Sequence, residues 1–331
     1  MKAKPERIQT MRITKEEAAS MLLSMDNILI FAHENPDGDA VGSTCALCKG
    51  LVSLGKKASV WLSGVPKSDV EMTQSLMFDG SFTPEHIVSV DTADNKIMCA
   101  SVGLYSKETP VELCIDHHYS NTLYAENTCL DEKAAAAGEV VYDILRLMNV
   151  KITKDIAECI YTAIATDTGC FRYSNTTAET FRTAADMLSF GADIAEINKI
   201  QFETKTREYA ALEKMALTGM DMHFDGKCAM IVLTNEMYVE SGAVESDTQA
   251  LSALPRQIEG VLVGITMKEK EKGVFRISVR TNAPADASLI AAQLGGGGHK
   301  MAAGCSFNGL KEDAVRTVLD AVRNHLETLE I

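Results

Sequence analysis

A histidine and two aspartates stand within seven residues in the stretch FAHENPDGDAVGS, as His33, Asp37 and Asp39. Carboxylates that close raise each other's pKa unless a cation neutralises them. One imidazole with several carboxylates suits a divalent ion such as Mn2+ better than structural Zn2+, which favours thiolates and imidazoles. A second reading needs no ion: a polar turn that caps a helix from Asp39. Pro36, Gly38 and Gly42 would keep that turn tight and let the backbone pass close to whatever the carboxylates hold. Similar groups recur at Asp91 in VDTAD, at Asp116, His117 and His118 in DHH, and at Asp167 in TDTGC. Adjacent imidazoles are rarely both core residues, because four ring nitrogens would need partners; a surface loop is the alternative.

The elements around these residues place them at strand ends. Apolar runs at 28–31, 58–62, 87–90 and 111–115 read as buried strands, and 40–54 reads as a helix, so the pattern is βαβ with a parallel sheet. Such sheets carry their chemistry beyond the carboxyl ends of the strands, where His33, Asp91 and Asp116 to His118 fall. Helices are expected after Thr14 with Glu17 in a capping box, at 133–149, at 154–166 after Thr153, and at 177–190 closed by Gly191. Asp167 would end one of them, where the macrodipole is negative and something positive should offset the carboxylate. Together His33, Asp37, Asp39, Asp91, His117 and Asp167 are six candidate ligands, about the number that two divalent ions sharing a bridging carboxylate require.

The chain has 331 residues, a length that suggests two domains. Its formal net charge of −14 argues against a broad surface for duplex DNA, while a short anion in a metal-lined site stays compatible. No apolar run reaches the roughly 20 residues of a membrane helix, and no signal peptide is legible, so a cytoplasmic protein is expected. Nine cysteines in apolar surroundings point to reduced, buried thiols. The pair Cys45 and Cys48 lies inside a predicted helix and reads as core packing. A homodimer is the ordinary default for such a chain.

Past a charged helical stretch at 193–217, strands at 228–233, 261–267, 274–280 and 305–307 and helices at 287–294 and 311–329 describe a smaller mixed α/β domain. Gly295 to Gly298, followed by His299, is either a flexible turn or, with its bare N–H groups and an imidazole, a phosphate cradle. Arg280 ends the strand VFRISVR and is either a solvated charge or a phosphate ligand through its bidentate fork.

The motifs HENPDGDAVGS, VDTAD, DHH and TDTGCF, in that order, with the later GGGGHKMAAG, resemble the DHH phosphoesterase superfamily with its C-terminal DHH-associated domain. Among two-domain members, the chain is similar to the bacterial nano-RNase and phosphoadenosine-phosphate phosphatase group. The resemblance implies an α/β DHH domain at 1–192, a helical linker at 193–217 and a substrate-binding domain at 218–331, with the active site in the cleft. It implies two Mn2+ ions, one on His33, Asp37 and Asp91 and the other on Asp39, Asp91, His117 and Asp167. His118 would face the substrate phosphate as donor or general acid and Asp116 would orient it, while Arg280, Gly296, Gly297, Gly298 and His299 would grip a nucleotide's terminal phosphate. The implied substrates are short single-stranded RNA or dinucleotides, cut to 5′-mononucleotides, and 3′-phosphoadenosine 5′-phosphate (pAp), converted to AMP. A cyclic-dinucleotide phosphodiesterase, a manganese-dependent pyrophosphatase and a non-catalytic nucleotide sensor are the competing readings.

Overall fold

The computed structural model describes residues 10–98, 105, 109–244 and 250–329. The chain divides into two compact units, the first ending at Thr204 and the second beginning at Lys205.

The first unit is built on a sheet of six strands: Met11–Arg12 (β1), Ile28–Phe31 (β2), Ala58–Trp61 (β3), His86–Val90 (β4), Leu113–Asp116 (β5) and Asn127–Leu130 (β6). Their spatial order is β1-β6-β5-β4-β2-β3, with every neighbouring pair parallel. Strand β2 is wholly buried because both faces of the sheet are covered. Its alternation divides the load: Ile28 and Ile30 enter one core with the helices, while Leu29 and Phe31 enter the core of the opposite face with Ile87, Met98 and Cys114. The chain leaves β2 toward β3 on one side and comes back to β4 on the other, so the strand order reverses between β2 and β4. Ligand sites of open α/β sheets form at such a point.

Six helices follow from the same sequence: Lys15–Ser24 (α1), Gly38–Ser53 (α2), Val70–Thr73 (α3), Ala137–Leu147 (α4), Lys154–Asp167 (α5) and Ala178–Ser189 (α6). Thr14 caps α1 in a reciprocal box with Glu17, and Thr153 caps α5. Helix α2 is buried along nearly its whole length, with Cys45 and Cys48 in the core, and burial pushes the Cys48 thiol up to about 12. Its close approach to α5 depends on Gly42, where an added Cβ would strike the Cys159 carbonyl. Gly42 therefore serves helix packing, and Gly38 packs on Thr166. The helix expected from residue 133 starts only at Ala137, since 131–136 is a turn tied to the Asp131 carbonyl and side chain. Strand β6 escaped the sequence reading because Asn127 and Thr128 interrupt its apolar pattern.

After Ile194–Asn198 (α7), a wider turn at Lys199–Glu203 and Arg207–Thr218 (α8), the second unit forms a mixed sheet. Its strands are Asp221–His223 (β7), Cys228–Leu233 (β8), Val263–Glu271 (β9), Val274–Thr281 (β10), Gly297–His299 (β11) and Ala302–Asn308 (β12), in the order β11-β12-β10-β9-β8-β7. Only β8 and β9 run parallel. Ala287–Gln293 and Lys311–Glu327 cover one face through Ile290, Val318 and Val322. The glycine run is not a slack turn, for Gly297 to His299 pair with β12. Among the described residues no helix is long and apolar enough to cross a membrane.

Candidate metal centre

Each sequence-predicted ligand of the first unit arrives from the carboxyl end of a strand or from a helix terminus. His33 follows β2, Asp37 and Asp39 open α2, Asp91 follows β4, His117 and His118 follow β5, and Asp167 closes α5. Ligand atoms lie within 4.8 Å of one another in three overlapping groups: His33, Asp37 and Asp91; Asp39, His117 and Asp167; and Asp91, His117 and His118. Asp91 and His117 join them. His117 Nε2 is 3.5, 3.6 and 3.8 Å from oxygens of Asp91, Asp39 and Asp167, and His33 Nε2 is 3.8 Å from Asp91 Oδ2.

The second nitrogen of each ligand imidazole is fixed. His33 Nδ1 donates to the Glu34 carbonyl at 2.9 Å and His117 Nδ1 to the Ala134 carbonyl at 3.2 Å. A carbonyl can only accept, so in the neutral ring each of these bonds leaves on Nε2 the lone pair that a cation would take. Asp91 is 2% exposed, yet its Oδ1 has no hydrogen bond, and its backbone adopts a left-handed φ of 53°. A buried oxygen without a donor and a strained backbone at one residue are what an ion-bridging carboxylate would show. The donor set of oxygens and imidazole nitrogens also fits Mn2+.

Electrostatics around the cluster are strongly biased toward proton retention. Burial and the charge of Asp91 hold the Asp39 carboxyl well above the ordinary range, and burial lifts Asp167 to about 6. Asp37 keeps half its side chain open, and partial desolvation with the Asp91 charge raises it. Burial works against the charged form of His117, but the nearby carboxylates of Asp91, Asp39 and Asp167 raise it to about 10. Burial would raise Asp91 too; the imidazoles of His117, His118 and His33 around it outweigh that, and the carboxyl lies below its usual value. Protons thus occupy places where cations would compete.

The helix-cap reading of Asp39 is corrected. Asp37 caps α2, accepting from the backbone N–H groups of Asp39 and Ala40, whereas Asp39 accepts from Ala137 and Gly138 at the start of α4. His118 is oriented by Asp116, which is fully buried and accepts its Nδ1–H at 2.8 Å. That hydrogen bond raises the His118 pKa. Two asparagines went unnoticed in the sequence. Asn121 donates to the other Asp116 oxygen at 2.6 Å, and Asn175 donates to the Asp167 carbonyl at 3.1 Å. The signal was their position, each a few residues past a carboxylate motif.

Residues 27–164 match the DHH family N-terminal domain and residues 231–328 match the DHHA1 domain. The bifunctional oligoribonuclease and PAP phosphatase NrnA of Thermus thermophilus is 35% identical over 308 residues, 90% of each chain. This chain belongs to the DHH phosphoesterase family. An exopolyphosphatase-related protein from Bacteroides fragilis superposes with a TM-score of 0.84 at 26% identity, covering 96% of this chain and 97% of its own. RecJ of Thermus thermophilus, solved in complex with Mn2+, shares the DHH fold with a TM-score of 0.52 at 16% identity over 93% of this chain and 55% of its own.

In the second unit, Arg280 is half-buried on β10 and donates to the Val279 carbonyl at 3.2 Å, and His299 is exposed on β11. Gly296 packs so tightly on Gly304 and Cys305 that a Cβ would collide with them, while Gly297 faces open space.

Proposed function

We propose that this DHH phosphoesterase hydrolyses short oligoribonucleotides, including linear dinucleotides such as pApA, to 5′-mononucleotides, and pAp to AMP, with two Mn2+ ions. The observation that carries the reading is Asp91 Oδ1, buried without a hydrogen bond in a residue common to two of the three donor groups. The named activities of the Thermus NrnA relative support the substrate class. His33, Asp37 and Asp91 would hold one ion, and Asp39, Asp91, His117 and Asp167 the other. Bound there, the ions would supply charge neutralisation for the phosphoryl oxygens and activate water as the nucleophile.

The protein's own groups have distinct tasks in this reading. Asp116 holds the Nδ1–H of His118, which turns the remaining nitrogen toward the substrate phosphate to donate a proton or hydrogen bond. The Glu34 and Ala134 carbonyls hold His33 and His117 in the ligating tautomer. Arg280, His299 and the backbone at Gly297 and Gly298 grip a terminal phosphate, the arginine through its fork, whereas the Gly296 N–H is taken by the Ala291 carbonyl at 2.9 Å and drops out of the cradle.

The test is to strip the protein with chelator, restore Mn2+, and compare diadenylate, a five-mer RNA, pAp, cyclic di-AMP and pyrophosphate as substrates. Fast release of mononucleotide from the short RNAs, with phosphate from pAp, is expected. Turnover of pyrophosphate or the cyclic dinucleotide alone, or binding without turnover, would overturn the reading.

A further inference from the structure

A chain whose formal net charge is −14 concentrates cations on one sheet face of its second unit. Along β10, Phe275, Ile277 and Val279 are buried in the core, while Arg276, Ser278 and Arg280 alternate with them on the opposite face. Residues paired directly across a sheet share a face, so the register extends this one over its neighbours. Arg280 stands opposite Gly264 of β9 and Ala302 of β12, and Ala302 in turn opposite His299 of β11. Arg276 stands opposite Lys268 of β9 and Ser306 of β12.

Two basic rows therefore cross one face. The first carries Arg280 and His299 with only Ala302 between them. The second carries Lys268 and Arg276. Between the rows, Ser278 and Gly304 offer no bulky side chain, while Thr266 of β9 completes the row buried against the Leu251 carbonyl. Arg276 is exposed, and the cations feel one another: burial, Arg280 and Arg276 bring Lys268 down to about 8. Lys270 is lowered by burial and by Arg276 as well.

Four residues along an antiparallel strand separate Arg276 from Arg280, a Cα distance of about 14 Å. That is longer than a single nucleotide repeat can stretch. We infer that Arg276, with Lys268 behind it, forms a second phosphate subsite for single-stranded RNA. It engages a phosphate beyond the one gripped at Arg280 and favours chains longer than a dinucleotide. The inference rests on the proposed role of Arg280 in gripping a terminal phosphate.

The test measures binding of 5′-phosphorylated penta-adenylate and of pApA in chelator, across a series of salt concentrations. Arg276 is exposed, so Arg276→Gln should fold normally. The control is Lys272→Gln, which removes the same charge at the exposed β9–β10 turn. For the five-mer, Arg276→Gln should weaken binding about 3- to 10-fold at low salt and lower the slope of log K against log salt by about 0.7, the loss of one phosphate contact on a single strand. The control should leave the slope unchanged, and pApA should bind both variants as it binds wild type. An unchanged five-mer slope, or an equal loss for pApA, would overturn the inference. Turnover by wild type in Mn2+, measured in parallel, separates the questions: failure to cleave either RNA refutes the hydrolytic reading, while the binding result judges Arg276 by itself.

Discussion

The carboxylate of Asp39 accepts the backbone N–H groups of Ala137 and Gly138 at 2.7 and 3.0 Å, across 98 and 99 residues of sequence. One side chain thus caps α4 and stands 3.6 Å from His117 Nε2. Stability and metal affinity should separate on substitution. Asp39→Ala loses the cap, worth about 1–2 kcal/mol, and melts several degrees lower in chelator. Asp39→Asn retains one acceptor, recovers part of that loss, and still binds Mn2+ more weakly than wild type. Thermal melts with and without Mn2+ check both; full Mn2+ affinity in Asp39→Asn would contradict the ligand role.

The pH dependence follows from His117, raised to about 10 from an ordinary 6.5. The folded, metal-free protein binds this proton more tightly than the unfolded chain. Its contribution to stability is complete below about 6.5 and fades as pH rises toward 10. Asp167, raised to about 6, acts in the same direction at lower pH. In chelator the melting temperature should fall between pH 7 and 9. Mn2+ must displace the His117 proton, so its affinity should rise over the same interval, with proton release detectable by calorimetry in buffers of different ionisation enthalpy. Affinity independent of pH would contradict the assignment of His117.

His118 and its supports should separate chemistry from metal loading. His118→Ala is expected to lower kcat about 10²- to 10⁴-fold, the usual contribution of a positioned acid, with Mn2+ stoichiometry intact. Asn121→Ala, which leaves one Asp116 oxygen without its donor, should cost about 10- to 100-fold, as loss of a supporting hydrogen bond commonly does. Steady-state kinetics beside metal analysis distinguishes these from ligand loss.

Gly42 reports on the helix pair that carries three of the candidate ligands. An added methyl meets the Cys159 carbonyl and Ala163 of α5, so Gly42→Ala should destabilise by about 1–3 kcal/mol. Asp37, Asp39 and Asp167 sit at the ends of this pair, so Mn2+ affinity should fall along with the melting temperature. An unchanged melt would show that the helices have room to spare.

Much of the first unit was legible because its chemistry is local in sequence. Strands β2, β4 and β5 announce themselves as apolar runs, and each is followed at once by a candidate ligand. The partnership of Asp39 with Ala137 and Gly138 could not be read, because it depends on how two distant helices meet. The same holds for Gly42, whose neighbours come from α5. Asn121 lay in plain view after DHH, but its bond to Asp116 is set by a turn closed from Asn121 N–H to the His118 carbonyl. On β10, the alternation of Arg276 and Arg280 with apolar residues was readable, whereas the row placing Arg280 in line with His299 needed the register of β11 and β12.

The most direct test of the centre is the number of Mn2+ ions bound by wild type and by Asp91→Ala, measured by metal analysis after dialysis, with circular dichroism to verify the fold. Two ions per wild-type chain, with loss of both tight binding and hydrolysis in a folded Asp91→Ala, is the expected result. A single ion in wild type, or hydrolysis that survives without Asp91, would contradict a dinuclear centre bridged by this carboxylate.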